Sequence, residues 1–290
     1  MLFCDKMNLM ILFYLFIFIF GLCIGSFLNV LIARLPKEEG ISGRSHCPKC
    51  GHILRWYDLI PVLSFILLKR RCRYCRGKIS WQYPIVEIST GLIFLLIFNF
   101  QFSIFNQFPN FLISQFLDLF FLFFITSCLI VIFVSDLKYF IIPDEIIWAG
   151  VIGTFLYKFF AVWNFKIFDF VENWKLEIEN WESLGYYLLA GLATSAFFLA
   201  IVLITRGKGM GLGDVKLVFL MGLILGWPQI LVALLVAFIS GALVGLGLIV
   251  AGRAKMKSQI PFGTFLAAST FLVMIWGEKI INAYFKTLSY

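Results

Sequence analysis

GMGLGDVKLVFLMGLILGWPQILVALLVAFISGALVGLGLIVAG, residues 209–252, decides the fold. From Leu217 to Gly252 it carries no charged side chain across 36 residues. One helix of that length would be roughly 54 Å long, nearly twice the hydrocarbon core of a bilayer, about 30 Å. Gly226-Trp227-Pro228 breaks the run near its middle, so it reads as two spans joined by a hairpin. In lipid every backbone N–H and C=O needs an internal partner, which makes the spans helices.

The same pattern extends outward over the chain. Of 290 residues 61% are hydrophobic and only 14% charged, against roughly 25% charged in soluble domains. Mean hydropathy is +0.96. Apolar runs at about 8–33, 85–100, 113–135, 145–163, 184–205, 209–227, 229–251 and 261–284 predict about eight transmembrane helices. The first run exceeds the roughly 7–15 residues of a signal-peptide core, so it reads as a retained span. The expected fold is an all-α polytopic membrane protein with a small cytoplasmic zinc-binding loop domain. It divides into a first transmembrane helix at 1–33, a Cys4 loop domain at 34–84 and a seven-helix core at 85–290.

Charge sets the expected orientation. Residues 33–84 hold eleven Lys/Arg against three Asp/Glu, which accounts for the whole net charge of +8. Lying between two apolar runs, this segment reads as a cytoplasmic loop obeying the positive-inside rule rather than as a nucleic-acid interface. The uncharged loop near 101–112 and the acid-rich loop at 164–183 then fall outside, while Arg206, Lys208, Arg253, Lys255 and Lys257 fall inside. Every Lys/Arg-rich loop lands on one side. Asp136, closing the third span, and Asp214, in the first turns of the sixth, share the cytoplasmic depth although 78 residues separate them.

The basic loop contains Cys47-Pro-Lys-Cys50 and Cys72-Arg-Tyr-Cys75, separated by 21 residues. Two CxxC knuckles at this spacing form a tetrahedral thiolate site for structural zinc, with no open position for catalysis. A loop poor in apolar residues gains folding free energy from the metal. A redox dithiol pair is the competing reading, disfavoured in a reducing compartment. His46 and His52, the only histidines, flank the first knuckle.

Ionisable groups within spans are costly and mark function. Asp136 opens Asp-Leu-Lys-Tyr-Phe-Ile-Ile-Pro-Asp144, where Pro143 starts a helix and Asp144 reads either as a first-turn carboxylate or as part of a site. Asp214 follows Gly209-Met-Gly211-Leu-Gly213, whose glycines let backbone approach the carboxylate, and Lys216 lies two residues on. Two carboxylates a few ångströms apart share a proton, so one activates water while the other hydrogen-bonds a carbonyl and protonates a leaving amine. Both histidines lie in the zinc loop, which leaves no Ser-His or Cys-His pair in the membrane. A proton- or ion-coupled transporter uses buried acids as well, though usually at the bilayer midplane.

The ordered motifs go further. Gly25-Ser-Phe-Leu-Asn-Val30, Arg34-Leu-Pro36, the two knuckles with Asp58-Leu-Ile-Pro-Val-Leu-Ser64 between them, Ile79-Ser-Trp-Gln-Tyr-Pro-Ile-Val-Glu87, Asp136 with Pro143-Asp144, Gly209–Leu217 and Ile260-Pro-Phe-Gly-Thr-Phe-Leu-Ala267 follow one another in this order. Together they resemble the prepilin peptidases, or type IV leader peptidases, relatives of the Gly-x-Gly-Asp intramembrane aspartyl proteases. The resemblance implies the bacterial cytoplasmic membrane. It implies prepilin and type II secretion pseudopilin substrates, whose basic leader is cut after a glycine at the cytoplasmic face. It also implies methylation of the new N-terminal residue from S-adenosylmethionine. The family's catalytic aspartates fall on Asp136 and Asp214, and Asp144 matches a further acidic position. Where many relatives carry another acid two residues after the first Asp, this chain has Lys138. No Gly-x-Gly-x-x-Gly fingerprint locates a methyl-donor site. Glu87 is the candidate for that second activity or for substrate contact, unless it is a helix-start carboxylate.

Overall fold

The computed structural model describes residues 2–105, 112–169, 177–207, 210–253, 255 and 259–288. The long helices are α1 (Leu2–Arg34), α3 (Gln82–Phe105), α4 (Leu112–Tyr139), α5 (Asp144–Asp169), α6 (Glu177–Ile204), α7 (Leu212–Leu225), α8 (Gln229–Val250) and α9 (Phe262–Leu288), and a short α2 (Leu63–Leu67) lies in the loop after α1. These long helices occupy the expected spans of this multi-pass membrane protein. The expected outer loops fall in part, at 106–111 and 170–176, outside the described residues, as do Lys208, Gly209 and Lys257. The chain forms two compact units, Met1–Phe123 and Phe124–Tyr290, with the boundary inside α4.

In the first unit α1 packs on α3 through glycines. A Cβ on Gly21 would lie 2.7 Å from Gly91 Cα, and one on Gly25 would lie 2.7 Å from Glu87 Cα. Such close backbone approach is how helices associate where no hydrophobic driving force separates lipid from protein. Phe94 and Phe123 stack beside this crossing at 4.1 Å.

In the second unit α7 is the central element. Leu217, Val218, Leu220 and Met221 are fully buried along it, and Gly222 meets Gly191 of α6 backbone to backbone. The predicted span at 209–227 is here a 14-residue helix, roughly 21 Å long, shorter than the hydrocarbon core. Five described helices are long and apolar enough to cross a membrane, in α1, α3, α4, α6 and α8. The shortening of α7 has local causes. Gly211 is extended at its N-cap, and Gly226 at its C-cap has a φ of 68°. The predicted hairpin is present, since α8 starts at Gln229. A helix enclosed by protein has its polar ends satisfied there and need not match the lipid thickness. The buried hydroxyls of Thr154, Thr194 and Thr270 likewise return to carbonyls one turn back, at 2.8, 2.7 and 2.6 Å.

Candidate active site and metal centre

One end of the second unit gathers the C-terminus of α4 and the N-termini of α5, α7 and α9. Asp136 lies in the last turn of α4, where the helix dipole disfavours a negative charge. It is only 5% exposed. The start of α9 compensates, because the Thr264 N–H donates to Asp136 Oδ2 at 2.8 Å and the Gly263 backbone lies against the same carboxylate. Gly263 is required by space. A Cβ there would lie 2.9 Å from Asp136 Oδ2 and 2.7 Å from Ile142 Cδ1. Pro261-Phe-Gly263 therefore starts a helix and frees donors for a carboxylate 128 residues earlier.

Asp214 is the third residue of α7 and reaches back to accept the Gly211 N–H at 3.2 Å. This is the acid half of a capping box and fixes the carboxylate at the helix entrance. Gly213 packs on the Ile142 side chain, its Cβ position 3.3 Å from Ile142 Cβ. Ile142 thus touches both Gly213 and Gly263, the neighbours of the two aspartates. Asp136 and Asp214 thus stand at the same end of the unit, each beside a glycine that packs on Ile142. Asp144 begins α5 directly after Pro143 and pairs with Lys216, its two oxygens 2.8 and 2.6 Å from Nζ. The pair is about half exposed and ties α5 to α7. Asp144 is a first-turn carboxylate of α5, and the same side chain pairs with Lys216 of α7. Lys138 lies over its neighbour's ring, 4.8 Å from the Tyr139 centroid. Sequence reasoning missed Gly263, Thr264 and Ile142 as site residues. The helix-start signal at Pro261 was visible, but nothing in it says which acid it serves.

The metal centre lies in the first unit. The Sγ atoms of Cys47, Cys50, Cys72 and Cys75 lie within 4.8 Å of one another, with Cys47 and Cys75 at 3.9 Å. Thiolates around a tetrahedral ion with bonds near 2.3 Å stand about 3.8 Å apart, so the set fits one metal ion. The two knuckles repeat one hydrogen-bond pattern. Cys47 N–H donates to His52 O and Gly51 N–H to Cys47 O, all at 2.9 Å, and Cys72 N–H to Gly77 O with Arg76 N–H to Cys72 O repeat it at 2.9 Å. Gly51 and Arg76 occupy the matching left-handed position, with φ of 68° and 56°. Burial pushes the Cys47 thiol up, but the N–H groups of Lys49 and Cys50 and hydrogen bonds from Cys50 and Cys72 outweigh it and bring it down to about 7. Neither histidine joins the cluster, and the His52 ring lies tilted against Tyr74, with centroids 3.6 Å apart. Asp58 ties the segment between the knuckles by accepting Arg73 Nε at 2.8 Å, the Tyr74 hydroxyl and the Arg55 N–H. Arg34, 8% exposed, anchors the loop start by donating to the carbonyls of Gly40, Ile41, Ser42 and Arg44.

Glu87 is not a helix-start carboxylate. It lies in the second turn of α3, is 6% exposed, and its Oε2 accepts the Val62 N–H at 2.7 Å.

The comparisons with known proteins agree with these two units. The bacterial peptidase A24 N-terminal domain family matches residues 19–100, and the type IV leader peptidase family matches residues 122–246. A prepilin leader peptidase/N-methyltransferase of Bacillus subtilis (strain 168) is 31% identical over 271 residues, covering 93% of this chain and 97% of the relative. Those of Aeromonas hydrophila and Myxococcus xanthus (strain DK1622) are 29% and 32% identical over 302 and 257 residues, covering 94% and 86% of this chain and 94% and 67% of the relatives. No solved structure matches the chain. With both family matches in chain order and near-full-length identity at this level, the chain belongs to the type IV leader peptidase family, the prepilin peptidases.

Proposed function

We propose that Asp136 and Asp214 are the catalytic pair of a membrane aspartic endopeptidase that removes the basic leader of type IV prepilins and type II secretion pseudopilins at the cytoplasmic face. The observation that carries this reading is the fixing of Asp136 by the Thr264 N–H at 2.8 Å, at the same end of the unit as the Asp214 cap. Backbone donors hold a carboxylate in place without a proton of their own to lose, which pre-orients it for attack. One carboxylate takes a proton from water as the oxygen bonds to the scissile carbonyl carbon. The other hydrogen-bonds the carbonyl oxygen through its O–H and then transfers that one proton to the departing amine. Gly211 has no side chain at the N-cap beside Asp214, which leaves room there for an extended peptide, while Gly213 allows α7 to pack on Ile142. The Asp144–Lys216 pair holds α5 and α7 in register around it. The transport alternative lacks comparable support, since the chain's relatives are named as peptidases.

The four cysteines hold zinc in this reading, as the ligand type and spacing favour, and the metal stabilises a loop with little core of its own. The protein sits in the bacterial cytoplasmic membrane with this loop on the cytoplasmic side, in contact with lipid and with no nucleic-acid partner. Its second activity in this reading is N-methylation of the newly exposed residue with S-adenosylmethionine as methyl donor; the relatives are named N-methyltransferases.

The test is leader removal from a co-expressed prepilin in membranes. Asp136→Asn and Asp214→Asn should each lower cleavage about a hundredfold or more. Wild-type cleavage by either variant, inserted at the wild-type level, refutes the aspartyl mechanism.

A further inference from the structure

The peptidase chemistry leaves a second buried polar cluster unused, where α1 crosses α3 in the first unit. Glu87 is 6% exposed and its carboxylate accepts the Val62 N–H, with Ser26 of α1 beside it. One turn away Asn29 is 1% exposed and spends its amide donors on Gly25 O and Tyr83 O, at 3.2 and 3.1 Å. Its Oδ1 is buried without a partner. A carboxylate has about four acceptor positions, and Glu87 uses one of them on the Val62 N–H. The cluster therefore has acceptors in excess and, among the described residues, no cation in these contacts. The complementary ligand is a donor-only cation with several N–H groups, which describes an alkylammonium.

Val62, which closes the cluster, has φ 58° and ψ −46°. That conformation is strained for a β-branched residue.

We propose that Glu87, with Asn29 and Ser26, binds the α-ammonium group of the cleaved pilin chain and acts as the base for its N-methylation. This rests on the methyltransferase half of the function proposed above. The ammonium gives one proton to Glu87. The amine lone pair then forms a bond to the methyl carbon of the sulfonium donor, the carbon–sulfur bond breaks, and its electron pair stays on sulfur as a neutral thioether. The product is a methylated ammonium, and Glu87 passes its proton to water. Asn29 Oδ1 accepts a second N–H and orients the nitrogen. Charge and atoms balance without any oxidant or metal.

The test uses full-length protein in detergent with a synthetic mature pilin N-terminal peptide, and the same peptide N-acetylated. Wild type should bind the free amine at least tenfold tighter, with no methyl donor present. In Glu87→Gln, which keeps an oxygen for the Val62 N–H, that preference should vanish. Methylation measured by mass spectrometry should fall at least a hundredfold, while leader cleavage and metal content stay within twofold of wild type. Glu87→Asp should recover part of the methylation. Unchanged methylation in Glu87→Gln, or parallel loss of cleavage and metal, overturns the proposal. If wild type itself forms no methylated peptide when supplied with S-adenosylmethionine, the bifunctional reading fails first, and the ammonium assignment with it.

Discussion

Adding one methyl group at Gly263 isolates the contribution of α9 to the active site. An alanine Cβ there would lie 2.9 Å from Asp136 Oδ2 and 3.1 Å from its Cγ, closer than side chains tolerate. Ile142 Cδ1, at 2.7 Å, is the end of a flexible chain and can turn away. Asp136, 5% exposed, must move its carboxylate by several tenths of an ångström. That shift disrupts the 2.8 Å bond from Thr264 N–H. A hydrogen bond to a charged group contributes roughly 1.5–3 kcal/mol, and each 1.4 kcal/mol or so is tenfold in rate. Gly263→Ala is therefore expected to lower kcat for leader cleavage about 10- to 100-fold with little change in KM. Alanine favours a helix over glycine by about 0.5–1 kcal/mol, so α9 itself should not melt. Thr264→Ala keeps the backbone donor and loses only the hydroxyl bond to Pro261 O, and it should cleave within about threefold of wild type. Cleavage kinetics on purified enzyme decide the matter. A Gly263→Ala enzyme working within twofold of wild type would show that the α9 donors do not set the position of Asp136.

The remaining expectations concern the loop and the ion pair. Cys72→Ser removes one of four convergent ligands, so elemental analysis should find loss of metal, and full retention rules out the four-cysteine site. Burial pushes Asp58 up, but the Arg73 guanidinium, the Arg55 N–H and the Tyr74 hydroxyl hold its carboxyl below the ordinary range. A depressed carboxylate adds stability above its unfolded value, about 4, and loses it as pH falls through the folded value. The excess resistance of the wild-type loop to a chelator over Asp58→Asn should then be constant above about pH 5 and shrink below about pH 4; a difference independent of pH refutes the ionic role. A double-mutant cycle on Asp144 and Lys216, about half exposed, should give a coupling of only about 0.2–1 kcal/mol in thermal unfolding. A coupling several times larger would mean the pair is shielded from solvent.

Much of this protein is legible in one dimension because each signal is local. The charge-free run after Leu217 demands membrane helices whatever surrounds it, and Gly226-Trp227-Pro228 ends α7 by its own backbone preferences. Two CxxC spacings fix a four-sulfur site, since each knuckle closes its own turn. Asp136 and Asp214 stand out because an acid at a span's edge is expensive in any fold. The tertiary structure decided what depends on groups distant in sequence. Only folding brings the Thr264 N–H to Asp136, pairs Asp144 with Lys216, sets Val62 on Glu87, and encloses α7 so that 14 residues suffice. The physical reason is that a hydropathy pattern records whether a segment prefers lipid to water, while a hydrogen bond records which two segments meet. The first is a property of composition along a helix, and the second exists only once the helices have packed.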